Sequence, residues 1–297
     1  MEGKKRISGG WLVFLGALFW SLNAPLVKFI EMDPLLVTGL RSLIAGVVLC
    51  PFIRIKKLNL SAWTVIYIIS YISLCIGVIV ALSNTSAAIS IGMQYGAMIW
   101  IFIGNSIINK SISKSKLVPV LMIFSVVVLF MLSGISDGTM FGNLVALTES
   151  VSFAIMTISS KKTAGENPIG LTAIANLATG LFVFCCLSPS FSDLAYLNQT
   201  EWSVMLVLGV IQVGLGYAFY NMGVQKTTAQ TASIISLWEM ILGPIWVALF
   251  LKEYPKGLVI AGFVVILAGM AVNGLLENRE AKKTCLKNQK KTQFLKK

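Results

Sequence analysis

Apolar stretches of about 20 residues recur along the whole chain, separated by breaks of only a few residues. As helices, such stretches are each long enough to cross a hydrocarbon core of roughly 30 Å. We place spans at about 10–30, 34–54, 62–82, 85–109, 116–134, 141–161, 168–188, 202–222, 230–251 and 257–277. The connections carry turn or charge signals such as Glu31-Met32-Asp33, Arg54 to Lys57, Asp137-Gly138 and Lys161 to Asn167, and none has room for a soluble domain. A soluble apolar core is the competing reading, and charge excludes it. Only 12% of residues are charged, against roughly a quarter in a soluble domain. The chain is expected to be an all-α integral membrane protein of ten transmembrane helices. The apolar run after MEGKKRISGG is too long for a signal-peptide core and lacks a small-residue cleavage site, so it is read as the first span.

A net charge of +12 would suit a nucleic-acid binder, but its placement argues otherwise. Eight of the 24 Lys and Arg residues lie in the tail, 279–297, and most others flank spans. A basic segment beside a membrane helix meets anionic headgroups and sets topology. With a cytoplasmic N-terminus, 20 of the 24 fall on the inner side, including Lys4, Lys5, Arg6, Arg54, Lys110, Lys114, Lys116, Lys161, Lys162 and Lys226. The remaining four are Lys28, Arg41, Lys252 and Lys256, and the outer loops take Glu31, Asp33, Asp137, Asp193 and Glu201. The expectation is a multi-pass protein of the inner (cytoplasmic) membrane with both termini in the cytoplasm. Histidine is absent, and the five cysteines show no paired spacing, so neither a disulfide framework, a metal site nor a cofactor is expected.

The halves echo each other. FWSLNAPLVK (19–28) parallels SFAIMTISSK (152–161), and each precedes a short loop and a proline, Pro34 and Pro168, opening the next helix. AAISIGMQ (87–94) parallels ASIISLWE (232–239), which sets Gln94 opposite Glu239. Five spans per copy is an odd number, so the second copy is inserted upside down, an arrangement many secondary transporters share. The expected units are 1–134 and 135–278, followed by a basic cytoplasmic tail, 279–297.

Several stretches resemble the EamA-type members of the drug/metabolite transporter superfamily. They include GALFWSLNAPLVK (16–28), PLLVTGLRSLIAGVVLCP (34–51), GNLVALTESVSFAIMTISSK (142–161), LGVIQVGLGYAFYNMGVQKT (208–227) and AQTASIISLWEMILGPIWVALFLKEYP (229–255) with GLVIAGFVVILAGMAV (257–272). The chain departs from the pattern in its fourth span, with Met98 where a proline is common and Lys110-Ser111 in place of an acidic end. The second half keeps Glu253.

Polar side chains inside spans are costly and therefore informative. Glu239 in span nine reads as a ligand for a substrate ammonium, a proton site, or a structural tie, with Arg41 as one partner. Glu149 in span six reads as pathway lining or an interhelical hydrogen bond, and Arg41 as structural. The resemblance implies a central cavity lined mainly by spans one, three, four, six, eight and nine. That gives Trp20, Asn23, Gln94, Tyr95, Glu149, Tyr217, Trp238 and Glu239 as pocket candidates, with Glu149 and Glu239 as candidates for proton coupling. Trp11, Trp63 and Trp202, near span ends, suit an interfacial belt. Gly243-Pro244 is expected to kink span nine.

The resemblance implies a secondary transporter of small organic metabolites, expected to export amino acids or related compounds by alternating access. The alternatives are a multidrug or cationic-compound exporter, a channel, or a membrane-embedded enzyme. Enzyme chemistry lacks its usual residues, because the chain has no His and no Asp in mid-span. The expected partners are the substrate and the lipid bilayer, with no nucleic acid, the protein being a monomer or homodimer.

Overall fold

The computed structural model describes residues 8–30, 32–57, 61–111, 117–137, 139–163 and 167–294. Lys4, Lys5, Arg6, Glu31, Lys114, Lys116 and Gly138, used above for topology and turns, lie outside the described residues. Among the described residues every regular element is helical.

Among the described residues, nine helices are long and apolar enough to cross a membrane: Gly9–Phe29, Pro34–Phe52, Ala62–Asn84, Ala87–Ile107, Met140–Thr163, Pro168–Leu187, Gln199–Val224, Thr231–Leu251 and Gly257–Leu276. Leu117–Asp137, 21 residues with no charge before its end, is the fifth in order and makes ten spans. Their outward faces carry large exposed apolar side chains, among them Val65, Ile69, Val118, Phe141, Leu249 and Phe250. So much exposed apolar surface would be untenable in water and is what lipid tails solvate. Trp11 and Trp202 are exposed near span ends, as an aromatic belt requires.

The second and seventh spans form the axis of the bundle, and their geometry repeats. Asp33 caps one and Asn167 the other, each followed by a proline in the first turn. Four residues on, Thr38 Oγ1 donates to Pro34 O at 2.9 Å and Thr172 Oγ1 to Pro168 O at 3.0 Å. Where the two helices meet, a Cβ built on Gly46 would touch Leu177, and one built on Gly180 would touch Leu43. These two contacts are each other's images, as a two-fold relation demands. The same exchange runs outward: the first span packs on the eighth, and the third on the sixth. Ten transmembrane helices as two inverted five-helix repeats describe this fold.

The glycines at the axis permit that approach. A Cβ at Gly46 would lie 2.9 Å from the Leu177 backbone nitrogen, which cannot move aside. Gly46→Leu is therefore expected to cost about 1–3 kcal/mol or more of stability, read as a lowered midpoint of thermal denaturation in detergent. An unchanged midpoint would mean the axis is loosely packed.

The repeat also corrects one expectation. Ser86 caps the fourth span and Thr228 the ninth, and the two spans end on left-handed lysines, Lys110 and Lys252. Both pairs have the same separation in sequence, and in that register Gln94 falls opposite Ser236 while Glu239 falls opposite Ala97. The eight-residue sequence match was three positions out of register, because apolar helices of like composition align almost equally well at several offsets.

At one end of the bundle Lys28 Nζ meets Glu253 Oε2 at 2.7 Å, joining the first and ninth spans. Both side chains are partly exposed, so the pair contributes about 0–1 kcal/mol and chiefly fixes position. The opposite end carries Arg54, Lys161, Lys162 and Lys226. There Lys161 bonds the Thr227 carbonyl, and Lys162 lies 3.9 Å from the centre of the Trp63 ring.

Candidate functional site

Among the described residues, three spans lose regular α-helical bonding for one or two residues inside the bundle while keeping helical dihedrals, so each break is a local irregularity in one continuous span. The first divides into Gly9–Trp20 and Asn23–Phe29, the fourth into Ala87–Gln94 and Ala97–Asn109, and the ninth into Ala229–Ile235 and Leu237–Leu251. Side chains tie these breaks together: Trp246 Nε1 donates to Ser21 Oγ at 3.1 Å, and the Tyr95 hydroxyl donates to the Ser236 carbonyl. The same hydroxyl lies 3.1 Å from Glu239 Oε2. Glu239 thus enters the helix just after a break and is held by the fourth span. Pro244 sits within the ninth span, and a second irregularity lies eight residues earlier, at Ser236.

Beside these breaks is a sealed polar cluster. Arg41 is fully buried on the second span; its Nη1 donates to Asn23 Oδ1 at 2.8 Å and Gln212 Oε1 at 3.2 Å, and its Nη2 to Cys75 O at 3.1 Å. Gln212 lies in a π-helical stretch, Leu208–Leu215, and such local widening is frequent at functional sites. All three acceptors are neutral. The carboxylate partner expected for Arg41 is therefore replaced by amide and carbonyl dipoles.

Glu149, on the sixth span, is entirely enclosed, with its Cγ against Gly77 of the third. Among the described residues, neither of its carboxylate oxygens has a hydrogen-bond partner, and Arg41 Nε and Trp20 Nε1 are likewise buried without one. Glu149 lies within electrostatic range of both Glu239 and Arg41. Aromatic rings wall the cluster: Trp20 is 4.6 Å from both Tyr217 and Tyr220, centre to centre, and Tyr217 is 4.7 Å from Tyr71. Next to it a satisfied network binds spans three, six, seven and eight. Asn221 Nδ2 reaches the Tyr67 hydroxyl at 2.7 Å and Thr172 Oγ1 at 2.8 Å, and Ser160 Oγ donates to Asn221 Oδ1 at 2.6 Å. Among the described residues, no three Cys, Asp or Glu gather as a metal site.

Of the eight pocket candidates, Trp20, Asn23, Tyr95, Glu149, Tyr217 and Glu239 are buried in or beside this cluster, and Gln94 is buried at the break of the fourth span. Trp238 is a correction. It is 45% exposed and stands edge-on to Phe14 at 5.6 Å, on the outer face. Successive helical residues point about 100° apart, so a ninth span that turns Glu239 inward turns Trp238 out. Trp238→Ala is accordingly expected to leave substrate affinity within about twofold, measured by equilibrium binding once a substrate is in hand. A tenfold loss would return Trp238 to the site. Sequence reasoning omitted Tyr67 and Tyr71, one turn apart on the third span and both fully buried. Their spacing places them on one helical face, and two tyrosines on one face of an apolar helix was the available signal.

A buried polar centre enclosed by apolar spans describes a multi-pass membrane protein. Residues 140–275 match the EamA-like transporter family. The chain is 24% identical to an uncharacterized transporter of Clostridium kluyveri over 300 residues, covering 88% of this chain and 91% of that protein. It is also 24% identical to the uncharacterized transporter YvbV of Bacillus subtilis over 281 residues, with 88% and 89% covered. A protein of known crystal structure shares the fold at a TM-score of 0.69 and 18% identity, over 90% of this chain and 97% of its own. The second half of the chain is thus similar to the EamA-like transporter family.

Proposed function

We propose that this transporter moves a small zwitterionic metabolite, an amino acid or a close relative, outward across the cytoplasmic membrane by alternating access. The observation that carries the reading is the complementarity of its unpaired groups. Within one aromatic-walled cluster, Arg41 Nε and Trp20 Nε1 are donors without partners, and both Glu149 oxygens are acceptors without partners. Buried polar atoms left unpaired cost free energy, and a ligand carrying a carboxylate and an ammonium would satisfy both sets. The rings would wall its apolar part and face its cation. The Lys/Arg asymmetry supports cytoplasmic termini. Reconstituted vesicles loaded with labelled amino acids test the proposal: efflux that saturates and is lost in Glu149→Gln supports it, and efflux equal to that of empty vesicles for every amino acid tried refutes it.

A cationic-compound exporter is the second reading, favoured by two carboxylates, Glu149 and Glu239, within range of one another. Under either reading Glu239 is the candidate for coupling to a proton gradient, because its hydrogen bond to Tyr95 joins the fourth and ninth spans. Glu239→Gln is expected to abolish the response of transport to an imposed pH gradient while sparing folding. A gradient response equal to that of the unaltered protein would remove Glu239 from coupling.

A further inference from the structure

Arg54 and Lys226 are separated by most of the sequence, yet both line one cavity of about 410 Å³ at the basic end of the bundle. Arg54 follows the second span and Lys226 follows the eighth, while Asn167, Pro168 and Ile169 enter from the start of the seventh. The wall is built and held in place. Asn167 Nδ2 donates to Phe52 O at 3.0 Å, and Gln225 Nε2 donates to Ser160 O at 2.8 Å, so these amides are committed to the protein. The two cations differ: both are exposed, and among the described residues neither has a carboxylate partner, nor does any carboxylate line the cavity. Two positive charges facing one cavity call for an anion, and opposite charges at such separations attract strongly in a membrane interface.

The surroundings say which anion. Phe52, Ile169 and Met222 give the cavity apolar walls. Phe52 is half-exposed, and one turn before it Val47 and Val48 continue an exposed apolar strip along the second span, the surface that lipid tails cover. Trp63 beneath Lys162 marks the same end as lying at the interface. We propose that this cavity holds the phosphodiester headgroup of an anionic phospholipid, with Arg54 and Lys226 on the phosphate and the acyl chains along the strip of Phe52, Val48 and Val47. The guanidinium suits two phosphate oxygens at once, and the ammonium acts as a point charge beside it. The site is independent of the central cluster and of its substrate.

Native mass spectrometry of the purified full chain tests this, with phosphatidylglycerol and phosphatidylcholine supplied together. The unaltered protein is expected to retain phosphatidylglycerol over phosphatidylcholine by about 25-fold, at roughly fivefold for each of the two cations. Arg54→Gln with Lys226→Gln is expected to abolish that preference while leaving the elution volume and thermal midpoint unchanged. Lys56→Gln with Lys57→Gln removes equal charge from the same end outside the cavity and is expected to keep it. Undiminished preference in the first double variant overturns the proposal, and so does equal loss in both, which would mean diffuse charge. Displacement of the lipid by millimolar inorganic phosphate would overturn the lipid assignment in favour of a free phosphate site; no displacement is expected.

Discussion

Arg41→Met is expected to lower stability by about 3–5 kcal/mol and to abolish transport. Removing one partner of a buried charged network leaves the others desolvated, and that penalty exceeds the net worth of the bonds themselves. Here Asn23 Oδ1, Gln212 Oε1 and Cys75 O would all lose their donor. They come from the first, eighth and third spans, so one substitution loosens helices from both repeats. Arg41→Lys keeps the charge on a compact ammonium that cannot span three acceptors. It is expected to recover part of the stability and little of the transport. Chemical denaturation in detergent and vesicle flux separate the two effects. Near-normal stability in Arg41→Met would show the guanidinium to be incidental to the packing.

Glu149→Gln is expected to behave in the opposite sense. The carboxylate gives no hydrogen bond to the protein and receives none, so nothing in the packing depends on its charge. Exchanging a buried carboxylate that makes no hydrogen bond for a neutral amide of equal size relieves a desolvation cost and the repulsion of Glu239, and stability should hold or rise. Transport should fall by about 10–100-fold, the worth of a charged hydrogen bond to a substrate ammonium at roughly 1.5–3 kcal/mol. The combination of preserved stability and lost flux marks a residue kept for its ligand. A large loss of stability with flux retained per folded molecule would make Glu149 structural.

How much of this was legible in the sequence depended on length scale. The ten spans follow from apolar runs and the physics of a bilayer, and the odd span number per copy gave the inversion. The reciprocal contact of Gly46 with Leu177 and Gly180 with Leu43 adds the atomic form of that relation. Burial of Glu149, Glu239 and Tyr95 followed from the expense of polar groups in lipid. The helix irregularities at Ser21-Leu22, Tyr95-Gly96 and Ser236 left no trace, because the leucine, glycine, serine and tyrosine that mark them are common elsewhere in the chain. The facing of Trp238 failed for a related reason. A span apolar on every side carries no periodicity to say which residue turns inward. Tyr67 and Tyr71 were overlooked because a lone tyrosine in a span reads first as packing.

The most direct test of a zwitterion site is binding of one transported amino acid beside its two single-charge analogues, the N-acetyl acid and the carboxamide, measured by calorimetry on purified protein. The two sets of unpaired groups predict that the parent binds and that each analogue loses about tenfold or more, since each leaves one buried set unanswered. A carboxamide that binds as tightly as the parent would contradict the proposal, leaving Arg41 outside the binding site and the protein a carrier of cations.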